Sequence, residues 1–287
     1  MTPYPDFDWK KAVYPESDVV DLPVQQYGKT IKLKAYRWPP KKERKGVVFY
    51  IHGYGSFINH NAVYGKYLAE DGFEVFGMDQ RGFGESEGER AVIESTEDVY
   101  GDQWLLIFEV IKKFKINQQK TPIFLLGRSF GGLIATHLAA STIGQSLFAG
   151  VSLLTPYYHL WTEKLYNLYK PAKVVTYVRP NFRVDCEFQP NSDEYMRKWS
   201  EVFGDPRTVS FLTLNTACMW VEEQQKAKEW MKQLTMPVLF LEAEMDDTVD
   251  NKAIKEYAEL CPNPDNEYRV IKGCDHSLVA FDPSYAT

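Results

Sequence analysis

Short apolar segments recur along the chain and alternate with longer stretches whose apolar residues return every three or four positions. This alternation is typical of a mostly parallel β-sheet with helices on both faces, so the expected fold class is α/β. The apolar segments predict strands at Ile31–Tyr36, Val47–Ile51, Glu74–Met78, Ile123–Leu126, Val151–Leu154, Val238–Leu241 and Tyr268–Ile271. The helical spacing predicts helices near residues 61–71, 96–116, 130–142 and 251–260.

The strand–helix rhythm is interrupted in residues 156–234, which are rich in aromatic residues and contain several prolines. Two strand–helix units follow this stretch. An insertion between two strands of one sheet explains the pattern better than a separate C-terminal domain. We therefore expect a core formed by residues 1–155 and 235–287, with residues 156–234 inserted as a cap.

The composition is that of a soluble globular protein with a full core, since 44% of the 287 residues are hydrophobic and 25% are charged. The net charge of −6 provides no basic field for nucleic acid, which we do not expect as a partner. Neither a signal peptide nor a membrane-spanning apolar stretch is recognisable, so we expect a cytoplasmic protein that can still touch a membrane surface. Reduced thiols are expected for the four cysteines, Cys186, Cys218, Cys261 and Cys274.

A nucleophile motif follows the predicted strand at Ile123–Leu126, where the chain reads Gly-Arg-Ser-Phe-Gly over residues 127–131. A helix-like stretch comes next, which gives the strand–turn–helix context of a nucleophile elbow. The small residues two before and two after Ser129 allow the tight turn that exposes a serine oxygen. The sequence therefore predicts Ser129 as a catalytic nucleophile.

A serine nucleophile needs a base, and that base needs a carboxylate to fix its tautomer. His276 lies just past the last predicted strand, at the sheet edge where reacting groups gather. Asp246 lies in a turn beyond Val238–Leu241 and is the expected acid, with Asp247 as the alternative. The chain order serine, aspartate, histidine is that of α/β-hydrolases.

A tetrahedral intermediate also needs two preorganised donors for its oxyanion. The backbone N–H of Phe130, at the start of the helix after Ser129, is the first expected donor. The second is the backbone N–H of Tyr54, in the His-Gly-Tyr-Gly loop that follows the strand at Val47–Ile51. We expect His52 to bond the backbone of this loop and not to serve as a base.

The chain resembles the monoacylglycerol lipase and lysophospholipase group of α/β-hydrolases. The resemblance rests on the loop at residues 52–55, on the segment 79–90 with its Ser-Glu-Gly-Glu-Arg string, and on residues 127–132. It implies an eight-stranded, mostly parallel sheet with a cap inserted after the sixth strand. It also implies cleavage of single-chain lipid esters, either monoacylglycerols or lysophospholipids, without a cofactor or a metal.

The same resemblance implies roles for the segments around the site. The apolar and aromatic stretch at residues 157–178 is expected to line an acyl tunnel, to contact a membrane surface, or to pack on the core. A further helix usually follows the histidine in this family, so a chain ending at Thr287 is expected to lack it. Arg128 occupies a position where the family more often has histidine, with the side chain pointing away from the substrate.

Two features leave other functions open. Animal members of the group carry an acidic residue and an arginine after the H-G-x-G loop to hold the glycerol head, whereas residues 56–61 here contain neither. The same scaffold also supports prolyl aminopeptidases and acyltransferases, as well as non-catalytic binding proteins.

Overall fold

An eight-stranded β-sheet forms the centre of the part of the chain that the computed structural model describes, which is residues 16–159, 164–185, 207–276 and 278. The spatial order of its strands is β1-β4-β6-β5-β7-β8-β11-β12, with β4 antiparallel to β1 and β6 and the others parallel. This arrangement confirms the expected α/β class. The strands are β1 (Glu16–Ser17), β2 (Leu22–Gln26), β3 (Lys29–Leu33), β4 (Ala35–Trp38), β5 (Gly46–Ile51), β6 (Phe73–Met78), β7 (Ile123–Arg128), β8 (Gly150–Leu154), β9 (Arg183–Asp185), β10 (Phe211–Thr213), β11 (Val238–Ala243) and β12 (Glu267–Ile271).

Helices cover both faces of this sheet. The sequence of β5 is a continuous apolar run because both faces of this strand are buried. Val47 and Phe49 join one buried cluster, and Val48 and Tyr50 join the cluster on the opposite face. The described helices are α1 (Ala62–Glu70), α2 (Thr96–Lys113), α3 (Phe130–Ala140), α4 (Thr142–Leu147), α5 (Lys164–Thr176), α6 (Leu214–Met231) and α7 (Asn251–Leu260).

The predicted strand at Ile31–Tyr36 is wrong, because the chain breaks at Lys34 into two strands of different sheets. Strand β3 pairs with β2 in a separate hairpin, and β4 enters the central sheet. The backbone N–H of Lys34 donates to Ser86 Oγ at 2.8 Å, and its carbonyl accepts from Asp79 N at 3.0 Å. These partners are distant in sequence, so the local apolar pattern carries no sign of the break.

The connection between the paired strands β8 and β11 contains two helices that the sequence pattern did not reveal. Helix α6 packs on α3, where the Phe130 and Trp220 rings meet edge to face with centroids 4.0 Å apart. Its buried face includes polar residues such as Glu223 and Gln224, which is why its helical periodicity is difficult to recognise. Residues 160–163 and 186–206 of the expected cap, including Cys186, lie outside the described residues, as does the chain after His276 apart from Leu278.

In the part of the chain that the structure describes, no helix is long and apolar enough to cross a membrane. The three cysteines of that part, Cys218, Cys261 and Cys274, are free thiols. The same residues contain no group of three histidine, cysteine or acidic side chains arranged to hold a metal ion.

Candidate active site

The carboxyl ends of the parallel strands meet at one edge of the sheet, and the predicted site residues lie there. Ser129 follows β7 directly, and Asp246 lies in the turn after β11. His276 comes after β12, and the loop that begins at His52 follows β5. The sheet topology thus brings together groups from four separate parts of the sequence.

Ser129 occupies a strained backbone conformation between β7 and α3, with φ of 51° and ψ of −120°. On both sides of Ser129, at positions 127 and 131, neighbouring backbone lies so close that only glycine fits. A Cβ on Gly131 would lie 2.1 Å from the Ile51 carbonyl oxygen, and a Cβ on Gly127 would lie 2.4 Å from the Gly131 carbonyl oxygen. The glycines at these two positions therefore create the sharp turn expected of a nucleophile elbow.

A chain of two hydrogen bonds joins Ser129, His276 and Asp246. The Ser129 Oγ lies 2.9 Å from His276 Nε2, and His276 Nδ1 lies 2.8 Å from Asp246 Oδ2. A carboxylate only accepts, so Nδ1 carries the proton and Nε2 accepts from the serine hydroxyl. All three residues are buried or nearly so, with Ser129 8% and His276 5% exposed.

Asp246 is held as a carboxylate in this arrangement. Burial alone would raise its pKa, but the charge of His276, the hydrogen bond to it and the backbone N–H groups of Val249 and Thr248 lower that pKa below its ordinary value. Both N–H groups lie 2.9 Å from Asp246 Oδ1, so one oxygen is fixed by the turn while the other faces the imidazole. Asp247 instead accepts a hydrogen bond from the Thr248 hydroxyl at 3.1 Å.

The loop after β5 passes directly against the serine. A Cβ on Gly53 would lie 3.2 Å from Ser129 Cβ, so the peptide that leads to Tyr54 runs beside the nucleophile. The Tyr54 phenol donates to the Phe211 carbonyl at 3.1 Å, and its ring packs edge to face on Phe130 with centroids 5.7 Å apart. Both expected oxyanion donors thus belong to segments that adjoin Ser129, since Phe130 is the first residue of α3.

His52 lies beneath this loop and is fully buried. Its Nδ1 donates to the Gly53 carbonyl at 2.8 Å, and its Nε2 accepts from the Gln80 backbone N–H at 3.0 Å. Burial lowers the pKa of His52 to about 4, the Arg128 charge acts in the same direction, and the bond to Gly53 opposes both. A neutral imidazole with both nitrogens engaged holds the loop in place.

Asp79 is not among the predicted catalytic residues, and it links the loop after β5 to the 79–90 segment. Its carboxylate accepts from the backbone N–H of Ile58 at 2.7 Å, from that of Glu85 at 2.8 Å and from the Tyr36 hydroxyl at 3.1 Å. Burial raises its pKa to about 6 although these hydrogen bonds lower it. The signal that could have found it is an acidic residue directly after a buried parallel strand.

The described part of the chain thus has the fold of an α/β-hydrolase, with a serine at the elbow after a central strand. The family model described as serine aminopeptidase, S33, matches residues 42–284, and the chain belongs to that family.

Monoglyceride lipases are among the similar proteins. A Schizosaccharomyces pombe relative is 29% identical over 238 residues, which cover 80% of this chain and 61% of that protein. The monoglyceride lipase of Homo sapiens is 27% identical over 247 residues, covering 84% of this chain and 78% of that protein. The same fold occurs in a soluble variant of monoglyceride lipase from Saccharomyces cerevisiae, solved in complex with a substrate analog, with a TM-score of 0.80. The two chains are 21% identical, and the match covers 98% of this chain and 94% of that chain.

The buried His52 predicts an acid-sensitive contribution to stability. Because its folded pKa of about 4 lies below the ordinary value of 6.5, the unfolded chain binds a proton more readily between these pH values. The free energy of unfolding should therefore fall by roughly 3 kcal/mol through this group as the pH falls from 6.5 to 4. Denaturant unfolding should show that the free energy of unfolding falls less steeply with decreasing pH for His52→Asn than for the wild type. Identical pH slopes for the two proteins would contradict the assignment.

Proposed function

We propose that this protein is a serine hydrolase that cleaves carboxylic esters through an acyl-enzyme on Ser129. The observation that carries the proposal is the linked pair of contacts at 2.9 Å and 2.8 Å from Ser129 Oγ through the His276 imidazole to Asp246. Such a chain activates a hydroxyl that is otherwise a weak nucleophile at neutral pH. Burial of all three residues strengthens the electrostatic interaction between the imidazole and the carboxylate.

In the first half of the reaction, His276 Nε2 takes the hydroxyl proton while Ser129 Oγ attacks the ester carbonyl carbon. The oxyanion that forms accepts hydrogen bonds from the backbone N–H groups of Tyr54 and Phe130. The C–O bond to the alcohol then breaks, and His276 returns the proton to the leaving oxygen. Asp246 keeps the imidazole in the required tautomer and stabilises its charged form.

In the second half, water replaces the alcohol. His276 takes a proton from the water as its oxygen attacks the acyl carbon, and the tetrahedral intermediate expels Ser129 Oγ, which recovers the proton. The products are a free carboxylic acid and the original enzyme.

We infer that the substrates are single-chain lipid esters, either monoacylglycerols or lysophospholipids. Two observations support this class: the similarity to monoglyceride lipases along most of the chain, and the apolar surface of the β8–β11 connection, where we propose that residues 156–234 act as a cap. The name of the matching family favours a second candidate, hydrolysis of peptides at an amino terminus.

Replacement of the acid tests the assignment of the triad. Asp246→Asn should lower kcat by about four orders of magnitude, because an amide in that position favours the wrong histidine tautomer. Asp247→Asn is the matched control, since its carboxylate bonds Thr248 and is expected to change kcat only a few-fold. A large loss in the Asp247 variant with little loss in the Asp246 variant would reverse the assignment.

Direct product analysis tests the substrate class. Fatty-acid release should be measured from a long-chain monoacylglycerol and a lysophosphatidylcholine side by side, with prolyl and alanyl p-nitroanilides as the peptide arm and Ser129→Ala as the blank. We expect release from at least one lipid well above the blank and none from the anilides, because the proposed cap offers apolar surface to an acyl chain. Turnover of the anilides alone would assign the aminopeptidase function.

We propose further that helix α5 contacts the membrane surface from which such lipids are taken. Its inner side is fixed to α6 by polar contacts, with Tyr169 Oη 2.6 Å and Lys173 Nζ 2.7 Å from Glu222 Oε1. Apolar side chains directly after the helix instead face solvent, with Tyr177 83% and Val178 81% exposed. Apolar side chains beside exposed cations are typical of interfacial segments, and Lys170 and Arg179 supply those charges.

Vesicle binding tests this contact. The wild-type protein should sediment with phosphatidylcholine vesicles, and more strongly when they contain phosphatidylserine. Replacing Tyr177 and Val178 together by serine should weaken binding by roughly tenfold, because two interfacial apolar side chains are lost. The control is Ile143→Ser, which removes an exposed apolar side chain (51% exposed) from α4, outside the proposed surface. Equal binding by the double variant and the wild type would rule out this surface.

A further inference from the structure

Arg128, the residue before the nucleophile, is a buried guanidinium without a carboxylate partner among the described residues. It is 6% exposed, its Nη2 donates to the His276 carbonyl oxygen at 3.3 Å, and its Nε has no hydrogen-bond partner among those residues. Burying an uncompensated charge costs several kcal/mol. An arginine in this position is therefore difficult to explain as filler of the core, and the side-chain hydrogen bond described for it is with the main chain of His276.

A second buried side chain approaches the same carbonyl from the neighbouring strand. Thr155 follows β8 and is fully buried, and its Oγ1 donates to the His276 carbonyl oxygen at 3.2 Å. Its backbone N–H donates to the Leu241 carbonyl at 2.8 Å, which ties the residue to β11 as well. Two donors from adjacent strands thus converge on one backbone oxygen, and both strands lie in the interior of the sheet.

The loop that carries His276 needs such anchors because β12 lies at the edge of the described sheet. Its other contacts join it to the turn after β11, with Gly273 N 3.0 Å from Glu244 Oε2 and Met245 N 2.9 Å from the Cys274 carbonyl oxygen. These bonds fix the loop relative to the segment that carries Asp246. The bonds from Arg128 and Thr155 fix it relative to the neighbouring strands β7 and β8, and Ser129 directly follows β7.

We propose that Arg128 and Thr155 are positioning residues that hold the His276 main chain at the correct distance from Ser129. This inference rests on the proposed function, in which His276 is the base for Ser129. Both side chains act on the backbone of His276 and not on the substrate. Loss of either donor should therefore slow the chemical step and leave substrate binding almost unchanged, since small displacements of a reacting group reduce rates strongly.

The test uses the rate at which a small fluorophosphonate labels Ser129, because that reaction needs the serine–histidine geometry but no lipid recognition. Thr155→Val should lower the rate constant roughly tenfold, whereas Thr155→Ser, which keeps the hydroxyl, should stay near wild type. Arg128→Met should lower the rate at least as much, and Arg128→Lys should recover part of it. Thr216→Val removes the hydroxyl of another fully buried threonine, far along the chain in α6, and should label at the wild-type rate.

Kinetics with whichever ester the protein hydrolyses provide the second measurement. We expect kcat to fall in parallel with the labelling rate and KM to change less than about twofold. Wild-type labelling by both Thr155→Val and Arg128→Met would overturn the inference. A loss in Thr216→Val equal to that in Thr155→Val, at equal melting temperature, would also overturn it, because it would show a general effect of a missing buried hydroxyl. Failure of the lipid assay alone affects the proposed substrate and leaves this test valid.

Discussion

The tight turn at Ser129 is the constraint on which the rest of the site depends. A non-glycine residue with a φ of 51° costs free energy, and it persists only where surrounding packing imposes it. Here the backbone of Gly131 lies against the end of β5, and Gly127 lies against Gly131 itself. The same close approach brings the loop after β5 to the serine. One packing arrangement therefore places both the nucleophile and the segment that carries the expected Tyr54 donor.

The other half of the site depends on how loops at the same sheet edge are fixed to one another. The turn after β11 holds Asp246 through backbone N–H groups, and hydrogen bonds join that turn to the His276 loop. Contacts from Arg128 and Thr155 connect His276 to the central strands. Polar side chains that are deeply buried thus support groups that must stay within hydrogen-bond distance of one another, as pre-organised active sites require.

Much of this arrangement follows from sequence patterns, and the exceptions have physical causes. Strand β5 is buried on both faces, so its apolar run predicted it well, and the glycine spacing around Ser129 pointed to the turn. The break at Lys34 depends on hydrogen bonds to residues far along the chain, which no local pattern contains. Helix α6 escaped recognition because its buried face includes Glu223, whose carboxylate pairs with the Tyr100 hydroxyl at 2.5 Å. The choice between neighbouring acids after β11 depends on turn geometry and not on periodicity.

The most direct test of the central claim is mass spectrometry of the protein after reaction with a fluorophosphonate. The account predicts one adduct, located on Ser129, which forms on the native protein. The adduct should not form on protein that was unfolded in urea before the reagent was added, nor on the His276→Ala variant. That dependence would show that the serine is activated by its folded surroundings. An adduct on a different residue, or a folded wild-type protein that stays unlabelled, would contradict the assignment of Ser129 as the nucleophile.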